Sequence, residues 1–199
     1  KANYKVNIFI NKKTNLWRIK DLLKFSKLYY VDLINKKEVS NLIKKIKPQT
    51  IFHLAAYGAY PFQNDLEIIK KINLDATINL IQSSKRYGFK KFINTGSSSE
   101  YGFKMKKMSE LELLTPNSHY AVFKSAATIY CEYEAKFNNL PITTLRPFHA
   151  FGPYEEPSRL IPTLISQLYN NIIPKLVSPD ISRDMIYIDD VIDYYILSC

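Results

Sequence analysis

Within HYAVFKSAATIY, Tyr120 and Lys124 stand four residues apart. On a helix that spacing puts a phenol and an ammonium on one face. A phenol titrates near pH 10 when unperturbed, and an adjacent ammonium favours its ionised form, so the pair has the makings of a proton donor and acceptor. The same spacing also occurs on ordinary helices, where it has no chemical meaning. Three loops rich in small and polar residues, HLAAYGAY, TGSSSEYG and RPFHAFGP, each follow an apolar run. Ligands of open parallel sheets bind beyond the carboxyl ends of the strands, so three such loops define a candidate crevice. Taken singly, each reads as a turn: Gly58, Gly96, Gly102 and Gly152 suit turn geometry, and Ser97, Ser98 and Ser99 can cap or hydrogen-bond locally.

The elements that would position these loops alternate between strand-length apolar runs and longer segments of helical period, the pattern of an α/β protein with a parallel sheet. YKVNIFI, LYYVDL, TIFHLAA, KKFINTGSS and PITTLRPF are the predicted strands, with a lysine-rich amphipathic stretch over 37–47. Two long helices are predicted over about 65–87 and 117–137. Ile69, Ile72, Ala76 and Leu80 in the first, and Val122, Ala126, Ile129 and Tyr133 in the second, recur at helical spacing and are read as packing faces. After Pro153 the rhythm changes. Prolines at 153, 157, 162, 174 and 179 predict excursions away from the sheet.

The chain has 199 residues, 46% of them hydrophobic, enough for one buried core but not for two complete domains. No apolar run approaches the roughly 20 residues that span a bilayer, and no signal-peptide core is present. Beginning at Lys1 and stopping at Cys199 inside a helix-like pattern, the sequence reads as a piece open at both ends. Cys131 and Cys199 imply no disulfide framework, which fits a reducing, cytoplasmic setting. His53, His119 and His149 are far apart, so no metal site is expected. The net charge of +10 comes from scattered lysines that do not interleave with aromatic residues. Nucleic acid is therefore not expected as a partner; an anionic substrate or cofactor fits the charge better.

YYVDL, IFHLAA, INTGSSSEYG, HYAVFK, TTLRPFHAFGP and SRDMIYIDDV occur in the order and spacing of the extended short-chain dehydrogenase/reductase family, and the chain resembles its NAD(P)-dependent epimerase/dehydratase group. The resemblance implies a Rossmann-type doubly wound sheet that lacks its first βα unit. It implies a partial cofactor-binding domain over 1–152, a substrate-facing excursion over 153–182, and a strand and helix returning to the core over 183–199. Tyr120 would be the general acid/base, Lys124 its support and Ser97 the third member of the triad. Ala55, Ala56 and Tyr57 would line the cofactor, Asp32 and Leu33 would approach the adenine, and Pro147 and Phe148 would flank the nicotinamide.

For the substrate, a nucleotide-diphosphate sugar, the resemblance points to Ser98, Arg159 and Arg183. Arg183 would grip the diphosphate, with a surface ion pair to Asp184 as the alternative. Tyr101 would either reach the substrate pocket or sit in the core. Departures from the family pattern matter as much. The glycine-rich pyrophosphate loop is absent, all five glycines lying at 58 or later. Ser98 and Ser99 stand where dehydratases carry an acid, which disfavours a 4,6-dehydratase. His149 replaces an asparagine. Lys12 and Lys13 follow the first strand where an acidic residue would hold the ribose of NAD, so of NAD and NADP they favour NADP. A homodimer through the two long helices is expected, and the activity implied is a 4-epimerase or 4-keto-sugar reductase. The alternatives are a non-catalytic cofactor-binding module and an inactive fragment.

Overall fold

The structure, a computed structural model, describes residues 4–176 and 182–199. Pro179, one of the residues expected to break the βα rhythm, lies outside the described residues. The chain divides into two compact units, residues 1–146 with Cys199, and Pro147–Ser198.

In the first unit, β1 (Val6–Ile10) and β2 (Ser26–Tyr30) pair in parallel, Val6 opposite Ser26 and Ile10 opposite Tyr30. A helix, α1 (Lys36–Ile46), follows. Asn35 starts it by accepting the Glu38 amide, and Lys47 ends it in the left-handed conformation. Its lysines face outward while Val39 and Ile43 are buried. After β3 (Thr50–His53) comes a helical run of three parts: α2 (Leu66–Lys70), a π-helical turn over Lys71–Asp75, and α3 (Ala76–Tyr87). Then β4 (Lys91–Thr95), a 3-10 turn (Ser98–Tyr101), α4 (His119–Phe137) and β5 (Ile142–Leu145) complete the unit.

Strands β3, β4 and β5 form a parallel ladder with β4 in the middle. That place explains the run FIN in β4: Phe92, Ile93 and Asn94 are all buried, as a strand covered on both faces must be. Val31, Val39, Ile43, Ile51, Leu80, Ile81, Phe92 and Cys131 form one core cluster that joins α1, α3 and α4 to the strands. Every strand pair is parallel, as the alternating pattern requires. Among the described residues the strands form three separate ladders, not one continuous sheet.

One predicted packing face is reversed. Ile69, Ala76 and Leu80 are buried as expected, but Val122, Ile129 and Tyr133 of α4 are 42%, 59% and 51% exposed. The buried face of α4 consists of Ala121, Lys124, Ser125, Ala127, Thr128, Cys131 and Glu134. Periodicity identified an apolar stripe correctly, yet small and polar residues are the ones that let this helix approach the strands and the 3-10 turn.

The second unit holds β6 (His149–Phe151), which pairs in parallel with β7 (Met185–Tyr187), together with α5 (Leu160–Tyr169) and α6 (Ile188–Leu197). Residues 149–151, read from sequence as part of a loop, are thus a strand. Pro162, expected as a breaker, lies in the first turn of α5, where its missing N–H deprives the helix of nothing.

Gly102 and Gly88 both take positive φ (69° and 80°), but a Cβ at Gly102 would lie 2.0 Å from the Thr115 carbonyl oxygen whereas one at Gly88 would meet nothing within 4 Å. Gly88→Ala should cost about 1 kcal/mol. Gly102→Ala should cost at least about 2 kcal/mol more, because backbone must move. Urea denaturation of the two variants checks the difference.

Candidate active site

Ser118 opens α4 by accepting the Ala121 amide, which fixes the first turn that carries Tyr120. Tyr120 is half-buried and Lys124, one turn on, is 3% exposed. The Lys124 ammonium donates to the Thr95 carbonyl at the carboxyl end of β4. Burial pushes the Lys124 pKa down, and the Glu100 carboxylate pulls it back up. The lysine is therefore held against the strand end from which the Ser97 turn departs.

Ser97 caps that turn: its Oγ accepts the Ser99 amide at 3.2 Å and lies 2.6 Å from Ser99 Oγ. The local hydrogen bonding foreseen for these serines is therefore present at a residue also named for the triad. Ser98 is half-buried beside it. Glu100 closes the capping box, its Oε1 accepting the Ser97 amide at 2.7 Å, and is fully buried. Tyr101 is 3% exposed, and its hydroxyl accepts from Arg146 Nη1 at 2.6 Å. Arg146, which sequence reasoning passed over between β5 and Pro147, is the organising cation here; no local pattern marks it, because its partners are 14 to 46 residues away.

After β3, Ala55, Ala56 and Tyr57 form a loop whose shape is imposed from the helix behind it. Asn73, 1% exposed in the π-helical turn, accepts the Tyr57 amide at 3.3 Å and donates to the Tyr57 and Ile69 carbonyls at 2.6 and 2.9 Å. The widened turn gives this side chain its room, a common use of a π-bulge. Thr77 donates to the Asn73 carbonyl and so accepts from His53 Nε2 at 2.9 Å. His53 is thereby the neutral Nε2–H tautomer, and burial first, then the Lys124 charge, lowers its pKa to about 3. Neither Asn73 nor His53 was singled out as functional from sequence; the only signal was a polar residue on an apolar helix face.

Asp32 is exposed and turns the chain after β2, its Oδ1 accepting the Ile34 amide, while Leu33 packs on the core. Lys12 and Lys13 are exposed in the loop after β1. In the second unit, Pro147 and Phe148 lead into β6. Arg183 donates to His149 Nε2 at 2.8 Å, so the contact shown is with the imidazole and not the Asp184 pair considered above. Burial first, then Arg183 and Arg159, pushes the His149 pKa down. Arg159 also pairs with Glu155 at 3.8 Å. Two guanidinium groups thus surround one neutral imidazole. Among the described residues no His, Cys, Asp or Glu cluster is arranged to hold a metal, and no helix is long and apolar enough to cross a membrane.

The family described as NAD dependent epimerase/dehydratase is matched over residues 1–199. UDP-glucuronate 4-epimerase of Thermodesulfobacterium geofontis is 28% identical over 180 residues, 88% of this chain and 56% of that protein. dTDP-D-glucose 4,6-dehydratase of Dictyostelium discoideum is 26% identical over 184 residues, covering 85% and 42%. The chain thus spans about half the length of these relatives. The solved structure of UDP-glucuronic acid 4-epimerase from Bacillus cereus, in complex with UDP-glucuronic acid and NAD, superposes with a TM-score of 0.80 at 27% identity, covering 97% of this chain and 64% of that one.

His53 gives this site a signature in pH. The unfolded chain takes up a proton near the ordinary histidine value of 6.5 and the folded protein only at about 3. Stability should therefore fall as pH drops below about 6.5, by up to about 1.4 kcal/mol per pH unit from this group. His53→Gln should remove that part of the slope between pH 6.5 and 4.5, read by urea melts across the range.

Proposed function

The chain belongs to the NAD dependent epimerase/dehydratase family, and from that membership we propose an NAD(P)-dependent nucleotide-sugar oxidoreductase acting at the sugar C4, as a 4-epimerase or a 4-keto-sugar reductase. The observation that carries the reading is the buried Lys124 ammonium docked on the Thr95 carbonyl, with Tyr120 one turn away and Ser97 two residues beyond that carbonyl. In this reading the Tyr120 phenol exchanges a proton with the C4 hydroxyl, and Lys124 one turn away supports it. Ser97 Oγ holds the same sugar oxygen, sharing its capping bond as it does so.

The donor set suits a nicotinamide ribose: one N–H of Lys124 goes to Thr95 and an ammonium has two more to give. Ala55, Ala56 and Tyr57 would lie against the cofactor, with Asp32 and Leu33 towards its adenine and Pro147 and Phe148 towards its nicotinamide. The bound nicotinamide would supply the hydride acceptor and donor. Lys12 and Lys13 favour a 2′-phosphate, hence NADP over NAD. Arg159 and Arg183 offer the cationic groups that a sugar diphosphate needs, with the neutral His149 imidazole beside Arg183 as a further polar contact for the substrate.

A dehydratase is disfavoured on physical grounds. Ser98 and Ser99 supply no acid, and the carboxylate next in line, Glu100, is fully buried and ion-paired to Arg146 Nε at 3.4 Å. A non-catalytic module would not need a buried ammonium at the carboxyl end of β4. The exposed apolar stripe of α4, including Val122, Ile129, Tyr133 and Phe137, supports a homodimer formed through this helix.

In the full-length protein, Tyr120→Phe should lower turnover of a nucleotide sugar or its 4-keto form by at least about 100-fold while bound nicotinamide is retained. Chromatography of the sugar and absorbance of the reduced cofactor read the outcome; wild-type turnover surviving in Tyr120→Phe would sink the assignment. Ile129→Asp should convert the dimer to monomer in analytical ultracentrifugation without altering the far-UV spectrum.

A further inference from the structure

Beneath the Ser97 turn lies a charge pair that capping alone does not call for. Glutamates of capping boxes ordinarily sit at the surface, yet Glu100 is fully buried and the Arg146 side chain is 11% exposed. The carboxylate bridges the turn and the end of β5: Oε1 accepts the Ser97 amide and Oε2 faces Arg146 Nε. Arg146 then spreads the hold: Nη1 donates to the Tyr101 hydroxyl and, at 3.2 Å, to the Glu110 carbonyl, and Nη2 meets Glu132 at 3.4 Å. Its guanidinium lies 5.1 Å from the Tyr101 ring centre. Gly96 makes the approach possible, since a Cβ there would stand 2.7 Å from Glu100 Oε1 and 2.9 Å from Arg146 Cγ.

We propose that Glu100 and Arg146 are positioning residues for the proton-transfer site, one buried ion pair fixing the Ser97 hydroxyl and the Lys124 ammonium relative to each other. This rests on the reading of Ser97, Tyr120 and Lys124 given above. An ion pair tied to the turn through Glu100, to the strand end through Arg146 and to α4 through the contact of Arg146 with Glu132 locks the two elements that carry the chemistry, and small displacements of such groups are costly to rate. The same carboxylate supplies negative charge that favours the protonated form of the buried Lys124, and Cys131 and His53 are the other titratable groups that interact with it.

The test compares the full-length protein with Glu100→Gln and with Glu100→Gln/Arg146→Met, which leaves no charge unpaired. In Glu100→Gln the Ser97 amide should exchange with deuterium at least about tenfold faster. Its kcat should fall at least about tenfold with KM little changed, and the basic limb of the pH profile should move to lower pH as Lys124 loses its carboxylate. The double variant should melt close to wild type and remain slow, a result that a purely structural pair would not give. A double variant that both melts and turns over like wild type overturns the proposal. Should wild type act on no nucleotide sugar, the functional reading falls separately, and unchanged Ser97 exchange in Glu100→Gln would still overturn the positioning role. If Glu100→Gln does not fold, the double variant carries the same comparison.

Discussion

The hydrogen bond from the Lys124 ammonium to the Thr95 carbonyl places a cation inside the first unit, and much of the surrounding architecture answers to it. A buried charge is expensive unless it is paired and hydrogen-bonded. The protein responds with the Glu100 carboxylate on one side, itself balanced by Arg146, and with a histidine kept neutral on the other. Burial disfavours the charged forms of Lys124, Glu100 and His53 alike. Only the first two have opposite charges to lean on, so His53 is the group that gives up its proton.

The same interaction explains the character of α4. A helix that must deliver Lys124 to the end of β4 turns inward a face that includes lysine, serine, threonine and glutamate, and its two charged groups are the ones that are paired. Glu134, at the other end of that face, receives Lys85 at 3.1 Å, Gln82 at 2.7 Å and Tyr130 at 2.9 Å. The apolar residues of the helix are left on the outside. An outward stripe of valine, isoleucine and tyrosine is thus the counterpart of inward chemistry, and a surface available for association follows from the placement of one cation.

Behind the β3 loop a second polar chain works by geometry and not by charge. His53, Thr77 and Asn73 pass hydrogen bonds from the strand through the helix to both backbone groups of Tyr57, and the π-helical turn makes room for the asparagine. The loop after β3 is therefore held from its rear by buried polar residues. The Ser97 loop is held by Glu100 and Arg146 in the same manner. In both places larger polar groups brace a loop of small or hydroxyl-bearing residues from within.

Alternating apolar runs and helical periods were enough to set the α/β class and parallel pairing, because consecutive strands joined by helical crossovers can hardly pair otherwise. The order of motifs along the chain likewise marked Ser97, Tyr120 and Lys124. Local patterns carry such information, since strand and helix periods and i,i+4 spacing are properties of short segments. Tertiary structure alone decided which side of α4 faces inward, that Tyr101 is a core residue, that 149–151 pairs as a strand, and that Arg146 and Asn73 matter. Each of those outcomes is set by partners far along the chain and by the cost of leaving a buried polar group unpaired, a cost that arises only once the elements have packed.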